Sequence, residues 1–471
     1  VTPTGRYQTI ANFKNALHSS VTVLPPPPFK WQRVVGVAVG GVVLTCLGLA
    51  LAANFMPTPT RAPTAVAITS PSTAIASGLS TATRVTSSTS PTSGTIRIVS
   101  DLPMTGSSLG QTQSMVNAIT QAFESKSNRV CNGKWTIDYK VYDDASAARG
   151  SWDPEVVTKN AKEYAADSRV VAVIGTFNSG AAKLMIPILN PTSLVMVSPA
   201  NTYPGLTKPG KGIQGEPDVY YANRIRNYTR VTPADDLQGA IGAQWAKDLG
   251  AKSVYVVDDQ DLYGSILANM FEQTAKDIGL TVLGHEKMNP KAVDYKTLAI
   301  KVKDANPDLF YFGGITQNNA GQLIKDLRNV SFKGMIMGPD GIYEEAFVKA
   351  AGSAADGVYL TLGGLPVDKY SGKAVEWRDA YKAKFKSDPE IYAVYAYTAA
   401  QLVMDALDRV CQSGQNPADR KAVRDAVFAT KDFDSILGKF SIDANGDTTN
   451  ALMSGVQIKS GRFEFVTVLG K

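Results

Sequence analysis

Short apolar runs alternate with amphipathic segments from Thr95 onward, and this alternation limits the possible folds more than any other feature of the chain. Buried parallel strands are typically continuous apolar runs, and the crossover helices between them repeat their apolar residues every 3.6 positions. The predicted strands form two series of four, 95–101, 135–143, 170–175 and 194–199, then 253–259, 281–286, 308–314 and 334–339. The pattern therefore predicts an α/β fold of two similar Rossmann-like lobes.

The segments between these runs predict the helices. Six helices are predicted, at 110–126, 155–166, 180–190, 262–279, 317–329 and 391–410. Every predicted strand ends in Gly, Pro, Asp or Glu, residues suited to a loop that forms a site. Because ligands bind at the carboxyl ends of parallel strands, we expect a ligand cleft between the two lobes.

The distribution of charge excludes two classes of function. The formal charge is +6, but residues 1–94 hold six basic and no acidic residues, which leaves 42 of each sign in 95–471. A nucleic-acid-binding face needs excess positive charge, so no nucleic-acid partner is expected. With two histidines and three separated cysteines, Cys46, Cys131 and Cys411, the chain offers no zinc motif. We expect no metal and no cofactor.

Residues 34–55 form an uncharged run of 22 residues, long enough to cross a bilayer core of roughly 30 Å as a helix. Basic residues precede this run and no charge follows it until Arg61, so we expect a cytoplasmic tail at 1–33 and an extracytoplasmic remainder, attached as a single-pass membrane protein. Cleavage as a signal peptide near Ala50–Ala52 is the alternative; lipidation of Cys46 is disfavoured because the apolar run continues past it.

The Pro-, Thr- and Ser-rich residues 56–94 predict an extended, disordered stalk.

The segment PTGRYQTIANFKNAL (3–17) resembles the last helix of bacterial Ser/Thr protein kinase domains. An ordinary amphipathic juxtamembrane helix is the alternative interpretation. The chain contains no Gly-rich ATP loop, His-Arg-Asp loop or Asp-Phe-Gly motif, so we do not expect this chain to phosphorylate a substrate.

Eight separated motifs carry a second resemblance. They are LPMTG (102–106), YDD (142–144), GTFNSG (175–180), VSPANTYPGLT (197–207), RVTPADDLQG (230–239), DLYG (261–264), YFGG (311–314) and MGPDG (337–341). In this order they resemble the branched-chain amino-acid-binding proteins of bacterial ABC importers, which are type I periplasmic binding proteins. The resemblance implies a first lobe of 95–231 and 363–445, a second lobe of 232–362 and 446–471, and closure of the lobes on a free amino acid.

A carboxylate site is expected in the first lobe. Ser179 follows strand 170–175 at the start of helix 180–190, where free N–H groups and the helix dipole attract anions. Ser179 as a helix N-cap is the alternative, and the two roles are compatible. The resemblance implies that Ala200 and Thr202 bind the same head group, and Asn178, beside Ser179, joins the candidate set.

The remaining candidates would bind the ligand ammonium and close the cleft. The resemblance aligns Asp340 with the acid that neutralises the ammonium, although the family usually has Glu there. It aligns Tyr263 with a tyrosine that closes over the ligand and Asp235 with an acid near the hinge. Leu109 and Ile315 stand where the family tends to have aromatic residues, so we expect a side-chain pocket with less ring surface.

Cys131 and Cys411 remain outside the membrane once Cys46 is placed in the anchor. That compartment is oxidising, and the resemblance implies that both residues lie in the first lobe. A disulfide between them is expected, with two unpaired thiols as the alternative.

Two binding functions follow, and no enzymatic one. The chain is predicted to be a tethered solute receptor that serves an ABC permease, or, alternatively, the sensor ectodomain of a receptor kinase that acts as a dimer. The GSSLG segment (106–110) fits G-x-S-x-G, with His285 as a triad histidine, but it lies in a loop where a nucleophile elbow is not expected. Asp258, Asp259 and Asp261 lack the spacing of a calcium loop and predict a solvated strand end.

Overall fold

The run VVAVIG at 170–175 is buried along its whole length, as expected for a central parallel strand covered on both faces. The structure is a computed structural model that describes residues 93–470. Two sheets contain the predicted strands, one in each lobe.

The first sheet has six strands in the order β2-β3-β1-β6-β7-β8. All neighbours pair in parallel except the short edge strand β2, which runs antiparallel to β3. A small hairpin of β4 and β5 follows β3. The bounds are β1 (Gly94–Leu102), β2 (Arg129–Val130), β3 (Trp135–Asp143), β4 (Ala145–Ser146), β5 (Ser151–Trp152), β6 (Val170–Gly175), β7 (Val195–Ser198) and β8 (Tyr228–Arg230).

The second sheet has seven strands in the order β10-β9-β11-β12-β13-β16-β17. Its first five strands are parallel, and β16 and β17 extend it as an antiparallel edge. Strands β14 and β15 form a separate hairpin. The bounds are β9 (Ser253–Asp258), β10 (Thr281–Lys287), β11 (Leu309–Gly313), β12 (Met335–Gly338), β13 (Tyr359–Gly363), β14 (Phe433–Ser435), β15 (Gly438–Phe440), β16 (Met453–Lys459) and β17 (Arg462–Leu469).

Eleven α-helices of the described residues cover these sheets. They are α1 (Leu109–Glu124), α2 (Pro154–Ala166), α3 (Ser179–Leu189), α4 (Asp235–Asp248), α5 (Leu262–Asp277), α6 (Lys296–Ala305), α7 (Ala320–Asn329), α8 (Glu345–Ala351), α9 (Lys373–Phe385), α10 (Ile391–Gln412) and α11 (Arg420–Phe428). Helix α10 packs on α1 and on strands β6 and β7, so the chain returns to the first lobe after β13. Helices α4 and α5 pack on each other in the second lobe.

The α/β fold with two lobes is confirmed, and all eight predicted strands and six predicted helices are present within a few residues. The sequence patterns did not predict α4, α6, α8, α9 and α11, the strands β2, β4, β5 and β8, or the strands after 339. Helix α4 illustrates the reason, because polar Gln238 and small Gly239 and Gly242 are buried beside Trp245. Such a helix has no continuous apolar stripe, which is the signal used for prediction.

The predicted disulfide is confirmed: Cys131, which follows β2, is bonded to Cys411 in the last turn of α10. It joins two elements of the first lobe across a sequence separation of 280 residues.

The predicted tail (1–33), membrane span (34–55) and most of the stalk (56–94) lie outside the described residues. Among residues 93–470, no helix is both long and apolar enough to cross a membrane.

Candidate ligand-binding site

A small cavity of about 30 Å³ lies between the lobes, at the carboxyl ends of parallel strands from both sheets. Five of the predicted residues line it, namely Asn178, Ser179, Ala200, Thr202 and Tyr263. The other lining residues are Phe177, Ile315, Gly341 and Tyr392. The predicted residues that do not line it are the two acids, Asp235 and Asp340.

The first-lobe wall includes the start of α3. This helix begins at Ser179, and the residue before it, Asn178, makes no side-chain capping hydrogen bond. Ser179 is therefore not the N-cap, because that position belongs to Asn178. The positive end of the α3 dipole lies at the cavity, as required for binding a carboxylate.

The loop after β7 forms the rest of this wall. Ser198 Oγ accepts hydrogen bonds from the backbone N–H groups of Ala200, at 3.2 Å, and Asn201, at 2.8 Å. Asn201 Nδ2 donates to the carbonyl oxygen of Phe177 at 2.9 Å. The two loops that contain Ser179 and Thr202 are thus held together by polar contacts, which fixes their spacing.

Asp340 is 4% exposed and accepts three hydrogen bonds. Its Oδ1 accepts from the Tyr263 hydroxyl at 2.6 Å and from Gln238 Nε2 at 2.8 Å. Its Oδ2 accepts from the Tyr392 hydroxyl. Asp340 therefore lies directly behind two of the aromatic residues that line the cavity.

Asp235, in the first turn of α4, is fully buried, and neither carboxyl oxygen has a hydrogen-bond partner. Burial, followed by the nearby charge of Asp340, raises its pKa well above the ordinary value. The hydroxyl of Tyr311 is likewise buried without a partner, and burial raises the pKa of Tyr311. Burial and the neighbouring Asp340 both disfavour the charged form of Asp235.

The expected loss of ring surface is only partly correct. Leu109 is 42% exposed and lines a separate groove of about 660 Å³ between the lobes, so it does not contribute to the cavity. Ile315 does line the cavity, as expected. Phe177 and Tyr392 supply aromatic surface instead, with their ring centroids 5.5 Å apart in an edge-to-face arrangement.

Four residues of the site were not predicted: Phe177, Gln238, Gly341 and Tyr392. Phe177 lies within the GTFNSG motif and could have been found by its position next to Asn178. Tyr392 is the second residue of a long helix far along the chain, and no local pattern links it to Asp340.

The G-x-S-x-G segment and His285 do not form a triad. Ser108 precedes α1 in the first lobe, whereas His285 lies on β10 at the edge of the second sheet. His285 Nδ1 lies 2.6 Å from Glu272 Oε2, and its Nε2 lies 3.1 Å from Asp258 Oδ2. Each ring nitrogen of His285 is therefore hydrogen-bonded to a carboxylate, and neither is directed toward Ser108.

The acidic strand end at 258–261 is not solvated as expected. Asp258 is 1% exposed and Asp259 fully buried, since His285 and Ser265 bind Asp258 and Asn318 binds Asp259. Within residues 93–470, no three His, Cys, Asp or Glu side chains form a group that could hold a metal ion.

Two lobes that both contribute residues to one cavity between them define the architecture of a bilobal solute receptor. Residues 95–462 match the family model described as periplasmic binding protein. The chain therefore belongs to the periplasmic binding protein family.

Curated relatives agree with this assignment. A Leu/Ile/Val-binding protein homolog of Brucella abortus is 29% identical over 296 residues, which cover 63% of this chain and 73% of the relative. A leucine-, isoleucine-, valine-, threonine- and alanine-binding protein of Pseudomonas aeruginosa is 26% identical and covers 66% and 75%.

Solved structures share the fold. A leucine-binding protein of Thermotoga maritima superposes with a TM-score of 0.69 at 24% identity, covering 80% of this chain and 99% of its own. A solute-binding protein of R. palustris in complex with benzoate gives a TM-score of 0.65 at 20% identity, covering 80% and 96%.

Proposed function

We propose that this protein is an extracytoplasmic solute-binding protein of the amino-acid ABC transporter type, and that its lobes close on a free amino acid or a similar small polar ligand. One observation carries the proposal. The start of α3 and the loop of Thr202 line the cavity from the first lobe, and Asp340 of the second lobe lies directly behind the lining residue Tyr263, so groups of opposite electrostatic character flank one cavity.

Each group suits one end of a zwitterion. The N–H groups of α3, with the Ser179 and Thr202 hydroxyls, can donate to a carboxylate. The Ala200 carbonyl and the Asp340 carboxylate can accept from an ammonium, and Tyr263 would cover the ligand from the second lobe. Asn178 would form part of the first-lobe wall at the cavity, and Asp235 would support these contacts from behind.

Closure follows if the ligand contacts both lobes, because it then stabilises the closed form more than the open one. We assign residues 95–231 and 363–445 to the first lobe, and 232–362 and 446–471 to the second. The sheet composition supports this division, since β13, β16 and β17 belong to the second sheet.

Names of the relatives support the ligand class. The Brucella and Pseudomonas proteins are named for binding leucine, isoleucine and valine, and the latter also for threonine and alanine. By analogy, the partner of this chain would be an ABC permease. None of these relatives is described as an enzyme.

Membrane attachment through residues 34–55 is part of the proposal and is supported by the sequence alone. The alternative function, a receptor-kinase ectodomain, depends on residues 3–17, outside the described residues, and stays a prediction. Cysteine crosslinking of the full chain in membranes, with and without ligand, distinguishes the two. A ligand-dependent dimer would favour the kinase sensor, and an unchanged monomer would favour transport.

Calorimetry of the full chain against the twenty common amino acids tests the proposal. Removal of a buried charge partner costs about 2–5 kcal/mol, so Asp340→Asn is expected to weaken binding about 30-fold or more. Ser179→Ala is expected to weaken it as well. Asp277→Asn, an equivalent change at the end of α5, serves as the control. Equal binding by wild type and Asp340→Asn would contradict the assigned ammonium site.

A further inference from the structure

We infer that Tyr392 competes with the ligand for Asp340 and thereby sets how strongly the site selects for an ammonium group. This inference rests on the proposed function. Tyr392 is the second residue of α10, which packs in the first lobe, whereas Asp340 follows β12 in the second. The hydrogen bond from the Tyr392 hydroxyl to Asp340 Oδ2 therefore joins the two lobes.

The other two donors to Asp340 belong to its own lobe. Tyr263 is on α5, and Gln238 is on α4, where its Nε2 also donates to the Thr361 carbonyl at 3.0 Å. Movement of the lobes as rigid bodies leaves these two contacts intact. Of the three donors, only Tyr392 leaves Asp340 when the lobes separate.

The Tyr392 hydroxyl occupies the face of Asp340 that the first lobe approaches. Burial and then the charge of Asp340 raise the pKa of Tyr392 well above its ordinary value, so the hydroxyl stays a neutral donor. Tyr392 lines the cavity and Asp340 lies behind it, so a ligand ammonium that comes from the cavity reaches Oδ2 by the path that this hydroxyl occupies and displaces it. The exchange favours the ligand because the ammonium brings a positive charge to the carboxylate, whereas the Tyr392 hydroxyl brings only a dipole, but the gain is reduced by the hydroxyl–carboxylate bond that is lost.

A ligand without an ammonium group does not compete with Tyr392 for Asp340. The carboxylate of such a ligand can bind at the start of α3 and at the Ser179 and Thr202 hydroxyls while Tyr392 remains hydrogen-bonded to Asp340. The buried Asp340 carboxylate therefore keeps all its donors. Tyr392 therefore reduces the penalty for ligands that lack an amine and reduces the advantage of those that carry one.

Tyr392→Phe removes the hydroxyl and retains the ring that packs edge-to-face on Phe177. Tyr395→Phe is the matched control, since Tyr395 is one turn further along α10, is 2% exposed and makes no hydrogen bond to Asp340. Tyr395→Phe also removes a buried hydroxyl, one that lies beside Tyr370, so only Tyr392→Phe takes a donor away from Asp340.

The experiment is calorimetry of the full chain with two pairs of probes, L-leucine with 4-methylpentanoate and L-alanine with propanoate. We expect Tyr392→Phe to bind the amino acids about 5-fold more tightly, the effect of one hydrogen bond, and to bind the deaminated acids equally or more weakly. Tyr395→Phe should leave both ratios unchanged. Weaker binding of the amino acids, or an equal shift for both members of a pair, would overturn the inference.

A readout without ligand tests the bridge between the lobes. Small-angle X-ray scattering should give a larger radius of gyration for Tyr392→Phe than for wild type and Tyr395→Phe, because closure loses a hydrogen bond. An unchanged radius would overturn the inference. If wild type binds none of the four probes but the radius increases, the proposed function is wrong while the contact of Tyr392 between the lobes stands.

Discussion

Arg230 and Asp447 form a buried ion pair, with Arg230 Nε 2.7 Å from Asp447 Oδ1. Arg230 ends β8, the last strand of the first sheet, and Asp447 lies shortly before β16 of the second. The backbone N–H of Arg230 also donates to the carbonyl of Gly446 at 2.9 Å. The pair thus ties together two of the chain segments that connect the lobes.

Arg230→Met is expected to lower the free energy of unfolding by about 3–5 kcal/mol, because it leaves Asp447 buried without its main partner. Burial alone would raise the pKa of Asp447, but the charges of Arg230 and Lys208 hold it below the ordinary value. The ion pair therefore stabilises the protein above a pH of about 4, and this contribution is lost as the pH falls through the lowered pKa. Urea denaturation at pH 7 and pH 3 measures both effects. A loss as large at pH 3 as at pH 7 would contradict the ionic explanation.

The Cys131–Cys411 disulfide is expected to stabilise the first lobe by about 2–5 kcal/mol, because it restricts the unfolded chain over a long loop. Replacing both cysteines by Ser should lower the thermal midpoint, and wild type under reducing conditions should approach the same value. Thiol titration of the denatured, unreduced chain checks the bond itself. One free thiol, Cys46, is expected, and three would show that no bridge forms.

His285 is expected to make the stability of the second lobe depend on pH. Its hydrogen bond to Asp258 raises the pKa of His285, and so does the bond to Glu272, although burial acts in the opposite direction. A raised histidine pKa adds stability that is complete below the unfolded value of about 6.5 and is lost as the pH rises through the folded value.

His285→Gln removes this dependence. We expect it to cost about 1.5–3 kcal/mol at pH 6, as for hydrogen bonds to charged groups, and less at pH 9. Urea denaturation at both values is the measurement. A cost that is equal at pH 6 and pH 9 would mean that His285 contributes by packing alone.

Phe177→Ala is expected to widen the range of amino acids that bind. Phe177 lines a cavity of about 30 Å³, so removal of its ring should favour larger side chains such as leucine over alanine by about tenfold. Leu109→Ala is the control, because Leu109 lies in the separate groove. Calorimetry with both amino acids decides. If Leu109→Ala changes the preference for leucine over alanine and Phe177→Ala does not, the ligand side chain binds in the groove beside Leu109 and not in the cavity beside Phe177.

Local patterns were enough to predict the two lobes and one wall of the site. The strand VVAVIG, the turn after it and the helix at Ser179 are contiguous in sequence, so their spacing follows from backbone geometry. The strand-end position of Thr202 follows for the same reason. Asp258 shows the limit of this reasoning, since its burial depends on His285, which pairs with it from a neighbouring strand.

The amino-acid sequence by itself determined the eight predicted strands and the six predicted helices, because periodicity and turn residues act over a few positions. Only the tertiary structure decided that Tyr392 and Gln238 meet at Asp340, from positions 52 and 102 residues away. It also decided that Arg230 pairs with Asp447, 217 residues further on. Such contacts depend on strand order and on the return of α10 to the first lobe, and no local sequence signal encodes either one.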